Sequence, residues 1–450
     1  MSNFLEKNKI NAVICEFNPF HNGHQYIINE MKKQGLVICV MSGNFVQRGD
    51  VAILDKWARA KTALLCGADL VLELPVAFST ANAQTFSLGS VEILNSLGII
   101  DNLFFGTENG NIKELENILN LFETTAFQNE LKLNLNKGKT FAKAREDATK
   151  SLLKDAYNDE LAGSNNNLAL EYLSALKNTK SNIKAQTVKR QGANHDTFTE
   201  GENISAMQIR EYIKGNILNL NLQMPTKSLK ILENEIKFGN APALINKIEL
   251  AILCKLRTMS ISDFANICDI SEGLENRLFK AVREAVSLDD LYSKIKSKRY
   301  PLARIRRIVL HSFLDITKKS QKLSYIKVLA MNENGKNIIK NCKKNLPIIG
   351  KSSDVNKLDD FAKEQFALQC KCDDIYNLCR TNVSVCGDNY TKKIITLDWF
   401  SLKISNVYIY ISINAINFSC FGVLPHFKII EKSGHFFIFS NPNVVIIYCF

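Results

Sequence analysis

The 450-residue chain has few of the residues that interrupt a fold, with 8 prolines and 21 glycines, and only two tryptophans and six histidines. So little proline and glycine excludes a collagen-like or linker-type chain, and 46% apolar against 23% charged residues excludes intrinsic disorder. Met1–Lys9 mixes acids and bases with no long apolar stretch behind it, so the expectation is no secretory signal and a cytoplasmic location. CxxC pairs and zinc-type spacings are missing too. The tightest group among the 12 cysteines is Cys370, Cys372, Cys379 and Cys386, whose spacing suits no usual metal site, so reduced core thiols and no bound metal are expected. Acid is in deficit, 45 Asp and Glu against 57 Lys and Arg, which leaves +12. A surplus of that size points to a polyanionic partner, nucleic acid before an anionic membrane surface. At about 150 residues per domain, the length implies more than one unit.

From Asn11 to about Arg190, short β-branched runs alternate with longer amphipathic ones, the pattern of an α/β fold with a parallel sheet. Strands are predicted at Ala12–Glu16, Leu36–Met41, Leu70–Leu74, Asn102–Phe105 and Ile183–Lys189, and helices at Gln25–Lys33, Asp55–Cys66, Ala83–Leu97 and Leu168–Lys177. After about Gly215 helical periodicity takes over, clearest at Leu244–Met259, Ile261–Val286 and Arg304–Thr317. The expected organisation is a doubly wound, Rossmann-like catalytic domain over 1–215, a mainly helical, basic domain over 216–395 and an atypical apolar tail over 396–450. Lys294, Lys296, Lys298, Arg299, Arg304, Arg306 and Arg307 follow one another without an intervening acid. Such a density can neutralise several phosphates, as it can also form a solvated helix face. In the tail, Ile404–Phe427 carries no charge, but Ile409, Ile411 and Ile413 alternate with Tyr408, Tyr410, Ser412 and Asn414. That is a strand period, and the buried polar groups would be costly in lipid, so no membrane span is expected.

The chemistry concentrates where the first strand ends, at Cys15, Glu16, Phe17, Asn18, Pro19, Phe20, His21, Asn22, Gly23 and His24. A strand, a turn and a helix start at this point offer free backbone N–H groups and a positive dipole end to an anion. A glycine between the histidines permits close backbone approach. Two imidazoles there can donate hydrogen bonds to charge building on an α-phosphate while pyrophosphate leaves. HxGH in this context resembles the signature of the nucleotidylyltransferase superfamily. That superfamily also has a helix start ending in Ile-Arg, matched here by Ile204-Ser205-Ala206-Met207-Gln208-Ile209-Arg210, in which Ser205 and Gln208 make a capping box.

Further segments narrow the likeness: Met41–Asp50 (MSGNFVQRGD), Asp55–Ala60 (DKWARA), Gly67–Pro75 (GADLVLELP), Phe105–Glu108 (FGTE), Asn165 before Glu171-Tyr172, Val188–Arg190, and Ser271–Arg277 (SEGLENR). Together they resemble the tRNA(Met) cytidine acetate ligase family over roughly residues 10 to 395. Phe17 stands where that family usually has tyrosine, Ser164 where proline usually precedes the asparagine and Thr107 where serine is usual; beyond about 395 the likeness ends.

The resemblance implies two steps. Acetate attacks the α-phosphate of ATP, giving acetyl-adenylate and pyrophosphate, and the acetyl group passes to N4 of the wobble cytidine of elongator tRNA(Met). It places the ATP site at Val13, Ile14, Cys15, Glu16, Phe17, Asn18, Pro19, Phe20, His21, Asn22, Gly23, His24, Gln25 and Tyr26, with Gly106, Asn165 and Arg190. Ser205 and Arg210 are expected near the triphosphate and His21 and His24 at the reacting phosphorus. The candidate acetate pocket is Ser42, Asn44, Gln47 and Arg48, with Glu16 and Asp50 as carboxylates near a Mg2+ accompanying ATP. The basic run 294–307 is the candidate tRNA surface. Two other readings compete: a small-molecule cofactor adenylyltransferase, for which the extra helical region has no use, and a noncatalytic RNA-binding protein with a relic ATP pocket, against which the intact HxGH and Arg210 count. A class I aminoacyl-tRNA synthetase would need a KMSKS-like loop, which the sequence lacks.

Overall fold

The computed structural model describes residues 8–108, 110–154, 163–189, 204–215, 219–271, 273–297, 299–397, 428–432, 435–440 and 443–447. The chain divides into two bodies, residues 1–396 and 397–450. In the first, strands β1 (Ile10–Cys15), β2 (Leu36–Ser42), β5 (Leu70–Leu74), β6 (Asn102–Thr107) and β7 (Lys184–Lys189) run parallel in the order β5-β2-β1-β6-β7. Between them, β3 (Phe45–Val46) and β4 (Asp50–Val51) form a separate antiparallel hairpin. β1, β2 and β5 are buried along their whole length, because helices cover both faces, which explains their unbroken apolar runs. From β1 the chain winds outward to one side through β2 and β5, then returns to β6 beside β1. The carboxyl ends of β1 and β6 are therefore the switch point, where such a sheet leaves its ligand crevice.

The structure extends the sequence reading in three places. Helices Ile112–Phe122, Thr125–Asn136 and Phe141–Leu153 lie between β6 and β7, each a short amphipathic stretch within a mostly polar sequence. The region after Gly215 is not purely helical: β8 (Ile326–Asn332) pairs antiparallel with β5, β9 (Ile348–Ile349) lies beside β8, and a short strand at Ile395–Leu397 forms the outer edge. The helix predicted over Ile261–Val286 is broken into Ile261–Ala265 and Leu274–Glu284. Asp269 (φ 66°) and Gly273 (φ 76°) turn left-handed between them, which a continuous helix does not tolerate. The expected helix at Arg304–Thr317 is Leu302–Leu314, closed by Asp315 at φ 59°.

Helices of this later region pack on one another around Leu256, Phe264, Val282, Leu291 and Leu314, a core that also takes in Phe45 of the hairpin. Gly49 (φ 72°), at the hairpin's tip, lies so close to helix Leu302–Leu314 that a Cβ there would stand 2.5 Å from the Arg307 nitrogen. Described by itself, the second body holds three antiparallel strands, Lys428–Lys432, His435–Ser440 and Asn443–Ile447. Ile404–Phe427, with its strand-like alternation, lies outside the described residues. Among the described residues no helix is long and apolar enough to cross a membrane.

Candidate active site

Beyond the end of β1 the backbone turns sharply at Phe17, held at φ 48°, and the Asn18–Pro19 bond is cis. Main-chain and side-chain contacts fix the loop on several sides. The Asn18 side-chain oxygen accepts from the Ile53 N–H at 2.8 Å, the Phe20 carbonyl accepts from the Ser228 hydroxyl at 2.8 Å, and Asn22 N–H donates to the Gln223 carbonyl at 3.0 Å. His21 then caps the helix Asn22–Lys32.

The capping is done by the two imidazoles themselves. His21 Nδ1 accepts from the Gly23 N–H at 3.0 Å, and His24 Nδ1 accepts from the His21 N–H at 3.2 Å. A ring nitrogen that accepts carries no proton, so both rings are held as tautomers protonated at Nε2. The ring centroids are 3.8 Å apart, and both rings line a cleft of about 370 Å3. Gly23 is required by this arrangement, since a Cβ there would lie 2.9 Å from His21 Cε1. The HxGH spacing thus has a local cause: two donors at a helix N-terminus, fixed by the backbone they cap.

The cleft gathers most of the expected residues: Val13, Ile14, Cys15, Glu16, Phe17, Asn18, His21, Asn22, Gly23, His24, Tyr26, Gly106, Asn165, Ser205 and Arg210 all line it. Pro19, Phe20 and Gln25 do not. Phe20 is core, and the Gln25 amide turns away to Asn29 and the Cys66 carbonyl. Ser205 caps the helix Ala206–Lys214 by accepting from Gln208 N–H at 3.2 Å, while the Gln208 amide donates to the Tyr212 hydroxyl at 2.9 Å. One turn on, Arg210 donates to the Asn18 carbonyl at 2.7 Å. Burial lowers its guanidinium pKa, with the Glu16 and Asp50 carboxylates pulling the other way. Across the crevice, Gly106 sits near the end of β6, and the Asn165 amide donates to Glu108 at 2.9 Å. Arg190 lies outside the described residues; its neighbour Lys189 lines the cleft.

The four acetate-pocket candidates separate. Gln47 and Arg48 line the cleft, and the Gln47 N–H donates to Glu16 Oε1 at 2.9 Å. Ser42 and Asn44 lie buried beneath it. Asn44 accepts from the Lys56 N–H at 2.7 Å and donates to Asp373 at 2.8 Å.

The basic run separates as well. Arg307 is buried and pairs with Asp269 at 3.1 Å, and Arg304 donates to the Asp269 carbonyl at 2.8 Å and to Ser271 at 2.9 Å. Lys294 pairs with Asp290 at 3.0 Å, and Arg306 lies over the Tyr292 ring. Lys296 and Arg299 are exposed, and Lys298 lies outside the described residues. Acids distant in sequence or on the preceding helix thus occupy part of a stretch that has none of its own.

Sequence reasoning gave no role to the polar cluster under the hairpin. Lys56, wholly buried, is held by Glu73 and Asp373, each at 2.6 Å, and by Asn389 at 2.9 Å. Burial opposes its charge, but the two carboxylates outweigh that and raise its pKa. Lys327 of β8 also reaches Asn389; burial and the Lys56 charge bring it down to about 8. Two cations three apart in DKWARA, on a helix otherwise buried but for Lys61 and Leu65, were the available signal. The distant partners of Lys56, Asp373 and Asn389 more than 300 positions away, were not.

Comparison with known proteins agrees with this geometry. Residues 8–390 match the family model described as HIGH Nucleotidyl Transferase. The chain is 41% identical over 404 residues to the tRNA(Met) cytidine acetate ligase of Caldanaerobacter subterraneus, covering 86% of this chain and 99% of that protein. It is 36% identical over 416 residues to the enzyme of that name from Acetivibrio thermocellus, covering 86% and 100%. Among solved structures, Thermotoga maritima TmcAL bound with alpha-thio ATP superimposes with a TM-score of 0.79 at 32% identity, over 87% of this chain and all of that one.

Proposed function

The chain belongs to the HIGH nucleotidyl transferase family and groups with the tRNA(Met) cytidine acetate ligases, and from that premise we propose that it is an ATP-dependent ligase that acetylates the wobble cytidine of elongator tRNA(Met). One observation carries the chemistry: two imidazoles protonated at Nε2, set on a helix N-terminus in a cleft shared with Arg210. An acetate oxygen attacks the α-phosphorus of ATP; the new P–O bond forms as the bond to the β-phosphate oxygen breaks, and pyrophosphate leaves. His21 and His24 donate to the α-phosphate as its charge builds, and neither is covalently modified. Arg210 pairs with the leaving phosphates. The N4 amine of the cytidine then attacks the acetyl carbonyl, the C–N bond forms, and AMP leaves as the amine loses a proton.

Gly106 and Asn165 hold the adenosine side, Arg190 pairs with a phosphate, and Gln47 and Arg48 receive the acetate carboxylate. Among the described residues no group of three or more His, Cys, Asp or Glu side chains could hold a metal. A Mg2+ would accordingly come with the triphosphate, with Glu16 or Asp50 as its nearest carboxylates. Within the expected helical region 216–395, the exposed Lys296 and Arg299 meet the tRNA backbone, and the anticodon base reaches the cleft as an unstacked nucleotide. Such an enzyme works in the cytoplasm.

The test supplies purified protein with ATP, labelled acetate and tRNA from cells lacking the modification, then digests the tRNA for mass spectrometry. N4-acetylcytidine in a single tRNA species, with acetate-dependent ATP–pyrophosphate exchange, is the expected result. Bound nucleotide without acetate-dependent exchange or acetylated tRNA would overturn the reading.

A further inference from the structure

Arg59 is wholly buried and does not line the cleft. Each of its hydrogen bonds ends on a main-chain carbonyl. Nε donates to Leu54 at 2.9 Å, Nη1 to Glu16 at 2.6 Å and Ser42 at 3.0 Å, and Nη2 to Gly43. Glu16 follows the last residue of β1, and Ser42 and Gly43 close β2. These carbonyls stand at the carboxyl edge of a parallel sheet, where the ladder ends and no further strand residue can serve them. A planar guanidinium presents its donors in a fixed fork, so three carbonyls from two strands are held at set distances from one another.

Both walls of the cleft start from those carbonyls. Glu16 leads into the Phe17 turn and so to His21 and His24, and its own carboxylate accepts from Gln47 N–H. Ser42 and Gly43 lead into the hairpin that bears Gln47 and Arg48. We propose that Arg59 is a positioning residue for the ligase reaction: by clamping the carboxyl ends of β1 and β2 it sets the spacing between the imidazole pair and the Gln47–Arg48 loop, and hence between the α-phosphate and its nucleophile. The proposal rests on the acetate reading given above. Reacting groups displaced by about 1 Å lose on the order of 100-fold in rate.

Arg59→Lys keeps the charge but cannot span the same carbonyls, and Arg59→Met removes both. Lys56→Met, three residues earlier on the same helix, is the comparison for burial and lost stability, because Lys56 bonds Glu73, Asp373 and Asn389 and does not line the cleft. Acetate-dependent ATP–pyrophosphate exchange is measured per folded molecule, well below each variant's melting temperature. In Arg59→Lys kcat is expected to fall about 100-fold with KM for ATP little changed, while Lys56→Met keeps the kcat of the parent. The 15N resonances of the His21 and His24 rings, read with ATP bound, shift in Arg59→Lys and stay in place in Lys56→Met. An Arg59→Lys protein with full kcat, an equal loss in Lys56→Met, or unmoved imidazole resonances would each overturn the proposal. A parent protein silent in exchange sinks the acetate reading alone, because the imidazole resonances still decide the role of Arg59.

Discussion

Between β1 and the first helix, the polar side chains of Glu16, Asn18, His21 and His24 converge on one cleft. Along helix Leu302–Leu314 and the turn before it they part company: Arg307 and His311 point into the core, and Arg299 points to solvent. The difference lies in what fixes each group. In HxGH each imidazole accepts from a backbone N–H within three residues, so local sequence contains the capping geometry that orients both rings. In the basic stretch the partner that decides the direction of Arg304, Arg306 and Arg307 is Asp269 or an aromatic ring, set by the packing of the fold. A compact motif with its own backbone partners therefore reports function, whereas charge density reports function and folding mixed together.

That contrast is sharpest in what the side chains cost when removed. His21→Ala and His24→Ala are expected to lower kcat by about 100- to 10,000-fold, the range for one positioned donor or acid–base group. Each loses only about 1 kcal/mol of stability with its cap. Pyrophosphate exchange together with denaturant unfolding checks both halves; a His21→Ala protein that unfolds instead of losing rate would erase the distinction. Arg307→Ala should behave in the opposite way. It leaves Asp269 charged and poorly solvated, which costs about 3 kcal/mol, seen as a fall in the unfolding midpoint while exchange per folded molecule stays near that of the parent.

His311, one turn beyond Arg307, gives the buried side a pH signature. Its Nε2 lies 2.9 Å from the Thr80 hydroxyl oxygen, which itself donates to the Val76 carbonyl, so the histidine is the donor. Burial brings it down to about 4 from an ordinary 6.5, the Arg307 charge adding to this and Asp269 opposing it. Between those values the unfolded chain takes up a proton that the folded chain refuses. Stability is full above about pH 6.5 and falls as pH drops toward 4, by about 3 kcal/mol in all. Unfolding midpoints between pH 4 and 7 should show this slope in the parent and lose it in His311→Leu.

Much of this architecture was readable in advance for the same reason that HxGH was. The strand at Leu70–Leu74 and the helix at Ala83–Leu97 fall where periodicity put them, because a two-face-buried strand and a helix capped by Asn82 and Gly98 carry their signals locally. β8 was missed because Ile326–Asn332 is a single strand amid helices, ordered by pairing with β5 from more than 250 positions away. Gln47 and Arg48 reached the cleft while Ser42 and Asn44 did not, because the hairpin that follows Asn44 points only its tip toward Glu16. Lys56 and Arg59 escaped notice because the partners that explain a buried cation are the carbonyls at other strands' ends or, for Lys56, acids on other elements, Asp373 among them more than 300 residues on.

The exposed end of the basic stretch carries the smallest effect and the most direct check on the contrast. Lys296 and Arg299 stand in solvent, so Lys296→Ala and Arg299→Ala should each change stability by less than about 0.5 kcal/mol. If they meet the tRNA backbone, each removal lowers affinity severalfold, equally for any tRNA of the same shape, and lessens the salt dependence of binding by about one counterion. Titrating tRNA at several salt concentrations separates this from a loss of base-specific contacts, which would change discrimination between tRNAs and leave the salt slope alone. The paired reading with Arg307→Ala is the decisive one. Two arginines eight positions apart should divide cleanly, one moving the salt slope and the other the unfolding midpoint; if both move the same observable, the burial of Arg307 has no functional meaning and the stretch acts as a single surface.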